Sequence, residues 1–126
     1  MRRSPLHEAM QAAGAGFEAR SGWWLPTSLV SAAGAAVPIL TIADESAHGK
    51  LLLEGNRAAS VVFTTIGVPA PSIGLSVACE EGRVYALRPD LFFVATSPGM
   101  ETKLVDRVRA VTADVDGLTV VTDVTS

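Results

Sequence analysis

The chain has 126 residues, of which 48% are hydrophobic and 18% are charged, and its formal net charge is −3. This composition indicates a folded globular chain of single-domain size and excludes the disordered class. The basic residues are scattered along the sequence, so the charge predicts neither nucleic-acid binding nor membrane binding. The single cysteine, Cys79, excludes an intramolecular disulfide and a multi-cysteine zinc site.

No targeting or membrane segment is predicted. Arg2 and Arg3 are not followed by the apolar run of a secretory signal. The apolar stretch 25–42 is interrupted by two prolines and a glycine, and it is too polar to span a bilayer as one helix. We therefore expect a soluble cytoplasmic protein.

The N-terminal part of the sequence predicts one helix and one long loop. Ser4 and Pro5 have the character of a capping residue and a first helical residue, and LHEAMQAA continues the helix until Gly14. The apolar residues between 17 and 36 recur with neither the helical nor the strand period. We therefore predict an irregular loop there, of a length that is uncommon in a compact domain and is often functional or covered by a partner.

Two strands and a second helix follow. VPILTIAD (37–44) and GKLLLEG (49–55) are typical of strands because they are short, apolar and bounded by turn residues. Asn56 is the predicted N-cap of a helix over RAASVVFTTI, and Gly67 is its predicted end.

Three further strands are predicted in the centre of the chain. IGLSVAC and RVYAL flank the acidic turn Glu80-Glu81-Gly82, a pattern typical of a hairpin in which the glycine takes an unusual backbone angle. LFFVAT, after the turn Arg88-Pro89-Asp90, has the composition of a buried strand.

A third helix and a last strand complete the pattern. Ser97-Pro98-Gly99 begins the helix, and apolar residues recur in it at the spacing i, i+1, i+4, i+7. These residues are Leu104, Val105, Val108 and Val111. Because helices separate groups of strands, we predict an α+β fold, a mostly antiparallel sheet with helices packed on it, in one domain over residues 1–126. The last strand, in GLTVVTDV, leaves a sheet edge that a domain would normally cover.

Three segments carry motifs. The first combines a Pro-Leu helix start, the glycine break at Gly14 and the loop Gly22-Trp-Trp-Leu-Pro26. The second, DESAHGKLLLEGNRAA, places Asp-x-Ser-x-x-Gly-Lys before a strand and an alanine-rich helix. The third is the hairpin GRVYALRPDLFFVATSPG. In order and spacing, the three resemble the N-terminal part of the aminomethyltransferase (glycine cleavage T-protein) family, which includes YgfZ-like folate-binding proteins.

The resemblance implies a truncated folate-binding domain and a candidate site. Family enzymes bind tetrahydrofolate in a central channel and transfer a one-carbon unit to its N5. Their catalytic aspartate belongs to the loop where this chain has Glu80 and Glu81, which are therefore the candidate catalytic residues. Tyr85, Arg88 and Trp23 are the candidate cofactor-binding residues.

Two functions stay open. In the first, the chain is a folate-binding part of a split one-carbon transferase that acts on a methylamine or glycine-type substrate. In the second, it is a non-catalytic structural or interaction subunit. Both predict a homo-oligomer or a second chain that completes the fold, with a contact surface at Trp23, Trp24 or the strand edge Leu118–Val121. The loop 79–82 discriminates between the two functions, because an enzyme needs a carboxylate there that points inward.

Other polar residues are given structural roles. We expect Asp44–His48 to be a turn in which the acid and the serine orient backbone groups, and His48 to be partly exposed and not a metal ligand. Cys79 is expected to be a core or strand-end residue, since the adjacent acids raise its pKa. Lys103 and Arg107, four residues apart, are expected to lie on a solvated helix face.

Overall fold

The computed structural model describes residues 1–28, 45–113 and 119–125. The chain forms two compact units, Met1–Ala47 (unit 1) and His48–Ser126 (unit 2). The predicted strand 37–44 lies outside the described residues. The prediction of a single domain stays a prediction.

Unit 1 begins with a short helix, α1, at His7–Ala12. The backbone N–H of Leu6 donates to Oγ of Ser4 over 3.1 Å, so the serine organises the turn before the helix. The N-cap itself is Leu6, without a side-chain hydrogen bond, so the helix starts later than predicted. Gly14 ends the turn after the helix with a φ of 83°, a conformation that glycine adopts without strain.

A hairpin replaces the first part of the predicted loop. Strands β1 (Gly16–Arg20) and β2 (Trp23–Ser28) are antiparallel. The two residues between them, Ser21 and Gly22, have φ values of 49° and 82°, and positive φ at both positions is the mark of the type I′ turn that suits a two-residue hairpin. The loop prediction was therefore wrong over 17–28, and its remainder lies outside the described residues.

Unit 2 is a five-stranded sheet with two helices. The strand order is β4-β5-β6-β3-β7, and every neighbouring pair is antiparallel. In chain order the elements are β3 (Gly49–Gly55), α2 (Ala58–Ile66), β4 (Ser76–Cys79), β5 (Gly82–Arg88), β6 (Leu91–Thr96), α3 (Glu101–Ala113) and β7 (Thr119–Asp123). The predicted α+β fold with a mostly antiparallel sheet is confirmed.

One face of this sheet forms the core of unit 2 together with both helices. Alternate residues of the three central strands are buried, as the period of two in a strand requires. They pack in one cluster with the apolar stripes of α2 and α3. The buried members are Leu51, Leu53, Ala58, Val61, Val62, Val84, Ala86, Phe92, Val94, Leu104, Val105 and Val108. The helical spacing read from the sequence of α3 is thereby confirmed.

Helix α2 ends where the sequence predicted, but it does not begin with the predicted cap. Gly67 ends the helix with a φ of 78°, and its N–H donates to the carbonyl of Phe63 over 2.9 Å. At the start, the N-cap is Arg57 and makes no side-chain cap hydrogen bond, so the prediction of Asn56 as the cap was wrong.

No described helix has both the length and the apolar character needed to cross a bilayer.

Gly82 lets the β4–β5 turn lie directly against β6. Its φ is 153°, and a Cβ at this position would overlap the carbonyl oxygen of Ala95 and lie 2.9 Å from Cα of Thr96. Only glycine allows this close approach of two backbones.

We expect Gly82→Ala to lower the free energy of unfolding more than Gly67→Ala. Both changes place an alanine at a positive φ, which costs about 1–2 kcal/mol. At Gly67 nothing lies within 4 Å of the added Cβ, whereas at Gly82 the contact with β6 adds roughly 1–3 kcal/mol of overpacking. Urea unfolding of the two variants measures the difference, and equal losses would contradict the close packing at Gly82.

Candidate functional site

The turn Glu80-Glu81 joins β4 to β5 at one end of the sheet, between the paired residues Cys79 and Gly82. The backbone N–H of Ser97, just after β6, donates to the carbonyl oxygen of Glu81 over 2.9 Å. The turn is thus held from two sides. Glu80 is exposed, whereas Glu81 is 4% exposed. One of the two predicted catalytic carboxylates therefore points inward.

Arg107 of α3 supplies the charge that opposes the buried acid. Its Nη2 forms an ion pair with Oε1 of Glu81. The arginine side chain is 49% exposed and the glutamate side chain 5% exposed, so the arginine reaches in from the surface. Arg107 and Lys103 are both exposed on α3, as predicted, but the ion pair of Arg107 with a buried acid was not predicted. The available signal was its position beside Leu104 and Val108, at the margin of the buried stripe of α3.

The second oxygen of the Glu81 carboxylate lacks the partner that the first one has. Among the described residues, Oε2 of Glu81 is buried and has no hydrogen-bond partner. The same holds for Oε2 of Glu101, at the start of α3. A buried charged acceptor without a donor costs free energy, and such groups in native structures call for an explanation.

A pocket of about 240 Å³ has Glu81 in its wall. Its walls are Glu80, Glu81, Met100, Lys103 and Arg107, so two acids from the turn face two cations from α3. Pockets for drug-sized ligands usually have volumes of about 300–1,000 Å³. This pocket therefore suits a small molecule or one end of a larger one.

Cys79 lies beside the turn and does not have the character of a nucleophile. Burial raises the pKa of the Cys79 thiol, a backbone hydrogen bond from Gly82 lowers it, and the Glu81 carboxylate raises it, with a net result above the ordinary value. A raised pKa means less thiolate at neutral pH, which is the opposite of what activates a cysteine. The structure thus agrees with the predicted structural role.

Tyr85 does not line this pocket. It points away from the core, between the buried neighbours of β5, and is 37% exposed. Its ring packs on Phe93 of the adjacent strand, with 5.9 Å between the ring centroids. Its predicted contact with a cofactor stays a prediction.

Arg88 lies at the other end of β5 from the acidic turn. Strand β5 has seven residues, so roughly 20 Å separate the two ends. Arg88 forms exposed ion pairs with Glu54 over 2.6 Å and with Asp90 over 3.0 Å, and these hydrogen bonds raise the pKa of the guanidinium. It also lines a second, wider depression of about 590 Å³ that includes Phe92. Its role in cofactor binding stays a prediction.

Trp23 belongs to the hairpin of unit 1. It is 4% exposed, and the guanidinium of Arg2 lies over its ring, 5.6 Å from the centroid. The backbone of Arg2 is hydrogen-bonded to Gly22 and Trp24 over 2.8 and 2.9 Å. Trp24 is only half-buried. The buried position and the cation–π contact indicate that Trp23 stabilises unit 1. Its predicted cofactor contact stays a prediction.

The stretch that precedes β3 carries no metal site among the residues with described positions. His48 lies in a bend and is partly buried, and its carbonyl accepts a hydrogen bond from Nζ of Lys50 over 3.1 Å. No group of three or more histidine, cysteine or acidic residues in the described ranges could hold a metal ion. Asp44 lies outside the described residues.

Comparison with known proteins supports the fold. No protein-family model matches the chain, and no curated protein matches it. Among solved structures, the glycine cleavage system aminomethyltransferase T from Bartonella henselae is similar, with a TM-score of 0.70 and 18% sequence identity. The match covers 96% of this chain and 38% of that chain. The present chain therefore has the fold of a fragment of an aminomethyltransferase, in agreement with the resemblance of the sequence motifs.

Arg107→Met is expected to destabilise the protein because it leaves the Glu81 carboxylate buried without its counter-charge. We expect the free energy of unfolding to fall by roughly 1–3 kcal/mol, the range for an unsatisfied buried group. Lys103→Met, an exposed change on the same helix, should stay within about 0.5 kcal/mol of the unmodified protein. Chemical denaturation compares the two, and equal stabilities of both variants would show that the ion pair contributes nothing.

The thiol of Cys79 should react with iodoacetamide with a pH midpoint above that of free cysteine, because its pKa is raised. Glu81→Gln should lower this midpoint, since the carboxylate contributes to the shift, while Glu80→Gln should leave it unchanged. Alkylation rates between pH 6 and pH 10 give the midpoints. A midpoint below that of free cysteine would instead identify an activated nucleophile.

Proposed function

We propose that the chain is a folate-binding, aminomethyltransferase-like domain that forms part of a one-carbon transferase using tetrahydrofolate. The observation that carries this proposal is the Glu81 carboxylate, which is buried in the hairpin turn, lines a pocket and keeps one oxygen without a partner among the described residues. An inward carboxylate at this turn is the feature that separates an enzyme from a scaffold of the same fold.

The geometry suits a carboxylate that handles a proton or a developing positive charge. Arg107 fixes one oxygen of Glu81, so the other oxygen has a set direction. A carboxylate held in this way, away from bulk water, stabilises a cationic nitrogen more strongly than a solvated one does. Glu80, which is exposed at the rim, is the weaker of the two candidate catalytic residues.

Part of tetrahydrofolate fits the residues that the pocket contains. Its ring N–H groups are donors of the kind that Oε2 of Glu81 lacks, and its anionic tail suits a basic rim such as Lys103. When bound, the cofactor supplies the N5 atom that accepts the one-carbon unit. The volume of about 240 Å³ is too small for the whole molecule. We therefore propose that further protein, from a second chain or a second copy, supplies the rest of the folate site.

The second candidate is a non-catalytic subunit with the same fold. The ion pair between Arg107 and Glu81 favours it, because an acid whose charge is already met can serve structure alone. In that case Oε2 of Glu81 contacts no ligand, and the surfaces of the chain act only in assembly.

Calorimetric titration with a stable tetrahydrofolate analogue tests the proposal, with the chain alone and mixed with the product of a neighbouring gene. We expect binding in at least one of the two. Glu81→Gln should weaken it by about tenfold or more, which is about 1.4 kcal/mol. Asp106→Asn, an exposed acid on α3 that does not line the pocket, is the matched control and should bind normally.

No binding in either preparation would contradict the proposal and favour the scaffold. Binding that survives Glu81→Gln unchanged would leave a folate-binding protein but contradict the role given to Glu81. Circular dichroism of each variant shows whether it remains folded.

A further inference from the structure

The sheet of unit 2 has a second face, on the side away from α2 and α3. Because side chains alternate along a strand, the residues between the buried ones of β3, β5 and β6 point to this side. We call it the outer face. Its residues on these three strands are Lys50, Leu52, Glu54, Arg83, Tyr85, Leu91, Phe93 and Ala95.

An apolar row crosses the middle of the outer face. Leu52 is paired with Phe93, and Phe93 is paired with Tyr85, so the three residues lie side by side on adjacent strands. The rings of Phe93 and Tyr85 pack together, with 5.9 Å between their centroids. Tyr85 is nevertheless 37% exposed in the centre of its strand. A contiguous exposed apolar row of this kind is typical of a surface that another protein covers.

Charged residues flank the apolar row with opposite signs on its two sides. Lys50 and Arg83 are both paired with Ala95, so two cations lie together on one side of the row. Glu54 lies on the other side, two residues after Leu52, just as Lys50 lies two residues before it.

The side with Glu54 is acidic overall. Arg88 forms exposed ion pairs with Glu54 and with Asp90, so two acids share one cation there. The outer face is thus apolar in the middle, basic at one end and acidic at the other, with the two ends at equal distances from the middle along β3.

We propose that the outer face binds a second copy of this chain, in a face-to-face dimer whose two-fold axis runs along the apolar row. Rotation about this axis exchanges the two ends of each strand. The apolar row of one copy then stacks on that of the other, and Lys50 of each copy lies against Glu54 of the other. An axis parallel to the strands would place the two basic ends together, which is repulsive.

The size of the outer face is sufficient for such a dimer. Five strands spaced by about 4.8 Å, with a length of about 20 Å in the centre, give roughly 500 Å² for each copy. A specific interface needs about 1,000 Å² in total, so two copies of this face reach that value. Stacked sheets lie about 10 Å apart, which brings the two apolar rows into contact.

The test is sedimentation equilibrium of the full chain at micromolar to submillimolar concentrations. We expect a reversible dimer. Tyr85→Glu places a charge in the apolar row and should raise the dissociation constant at least about tenfold. Phe63→Glu is the matched control, because Phe63 is an even more exposed aromatic residue, on α2, and this variant should dimerise normally.

A charge exchange tests the direction of the axis. Lys50→Glu should weaken the dimer, since it places an acid against Glu54 of the second copy. Adding Glu54→Lys to the same chain should restore the dimer, because the two charges then meet with their signs exchanged. Circular dichroism shows that each variant is folded.

A chain that remains monomeric over the whole concentration range would overturn the inference. A dimer that Tyr85→Glu leaves unchanged would do the same and would assign the contact to another surface, such as the edge strand β7. The inference does not depend on the proposed transferase function. A dimer that binds no folate supports the one and contradicts the other, and a monomer that binds folate does the reverse.

Discussion

The buried carboxylate of Glu81 is the constraint around which one end of the sheet is organised. An ionised acid with a side chain 5% exposed requires a counter-charge, and Arg107 provides it on one oxygen only. The pair joins residues 26 positions apart and ties α3 to the β4–β5 turn. The hydrogen-bonding needs of the carboxylate are therefore only half satisfied, because its second oxygen has no donor among the described residues. The same carboxylate belongs to the wall of the pocket in which we propose that a ligand binds.

The rest of unit 2 places that carboxylate. Gly82 allows the turn to approach the backbone of β6, and the N–H of Ser97 fixes the carbonyl of Glu81. Helix α3 begins at Glu101, a few residues later, and its apolar stripe packs on the sheet. That packing directs Lys103 and Arg107 toward the turn, where they line the pocket with the acids. The same apolar burial that stabilises the fold therefore sets the positions of the charged groups.

The sequence was sufficient for features that depend on local pattern. The spacing in α3, the strand GKLLLEG and the hairpin at Gly82 follow from periodicity and turn residues, and each is present in the structure. The β1–β2 hairpin was missed because its signal is one Ser-Gly turn between strands that are only partly apolar. The position of Arg107 beside the buried stripe of α3 was visible in the sequence, but its partner Glu81 was not, since the pairing depends on how α3 crosses the sheet. For Arg88 the sequence did carry a signal, since it follows the strand that begins at the acidic turn, and the rise per residue alone separates the two ends by roughly 20 Å.

The proposed function requires that the Glu81 carboxylate respond to the bound folate. The most direct measurement is the ¹³C chemical shift of the Glu81 side-chain carboxyl group, followed while the tetrahydrofolate analogue is added to the chain together with any partner it requires. We expect a saturable shift at Glu81 that matches the calorimetric binding curve, while the carboxyl signal of Asp106, outside the pocket, stays constant. Saturation of the analogue with no change at Glu81 would contradict it and would assign the carboxylate to structure alone.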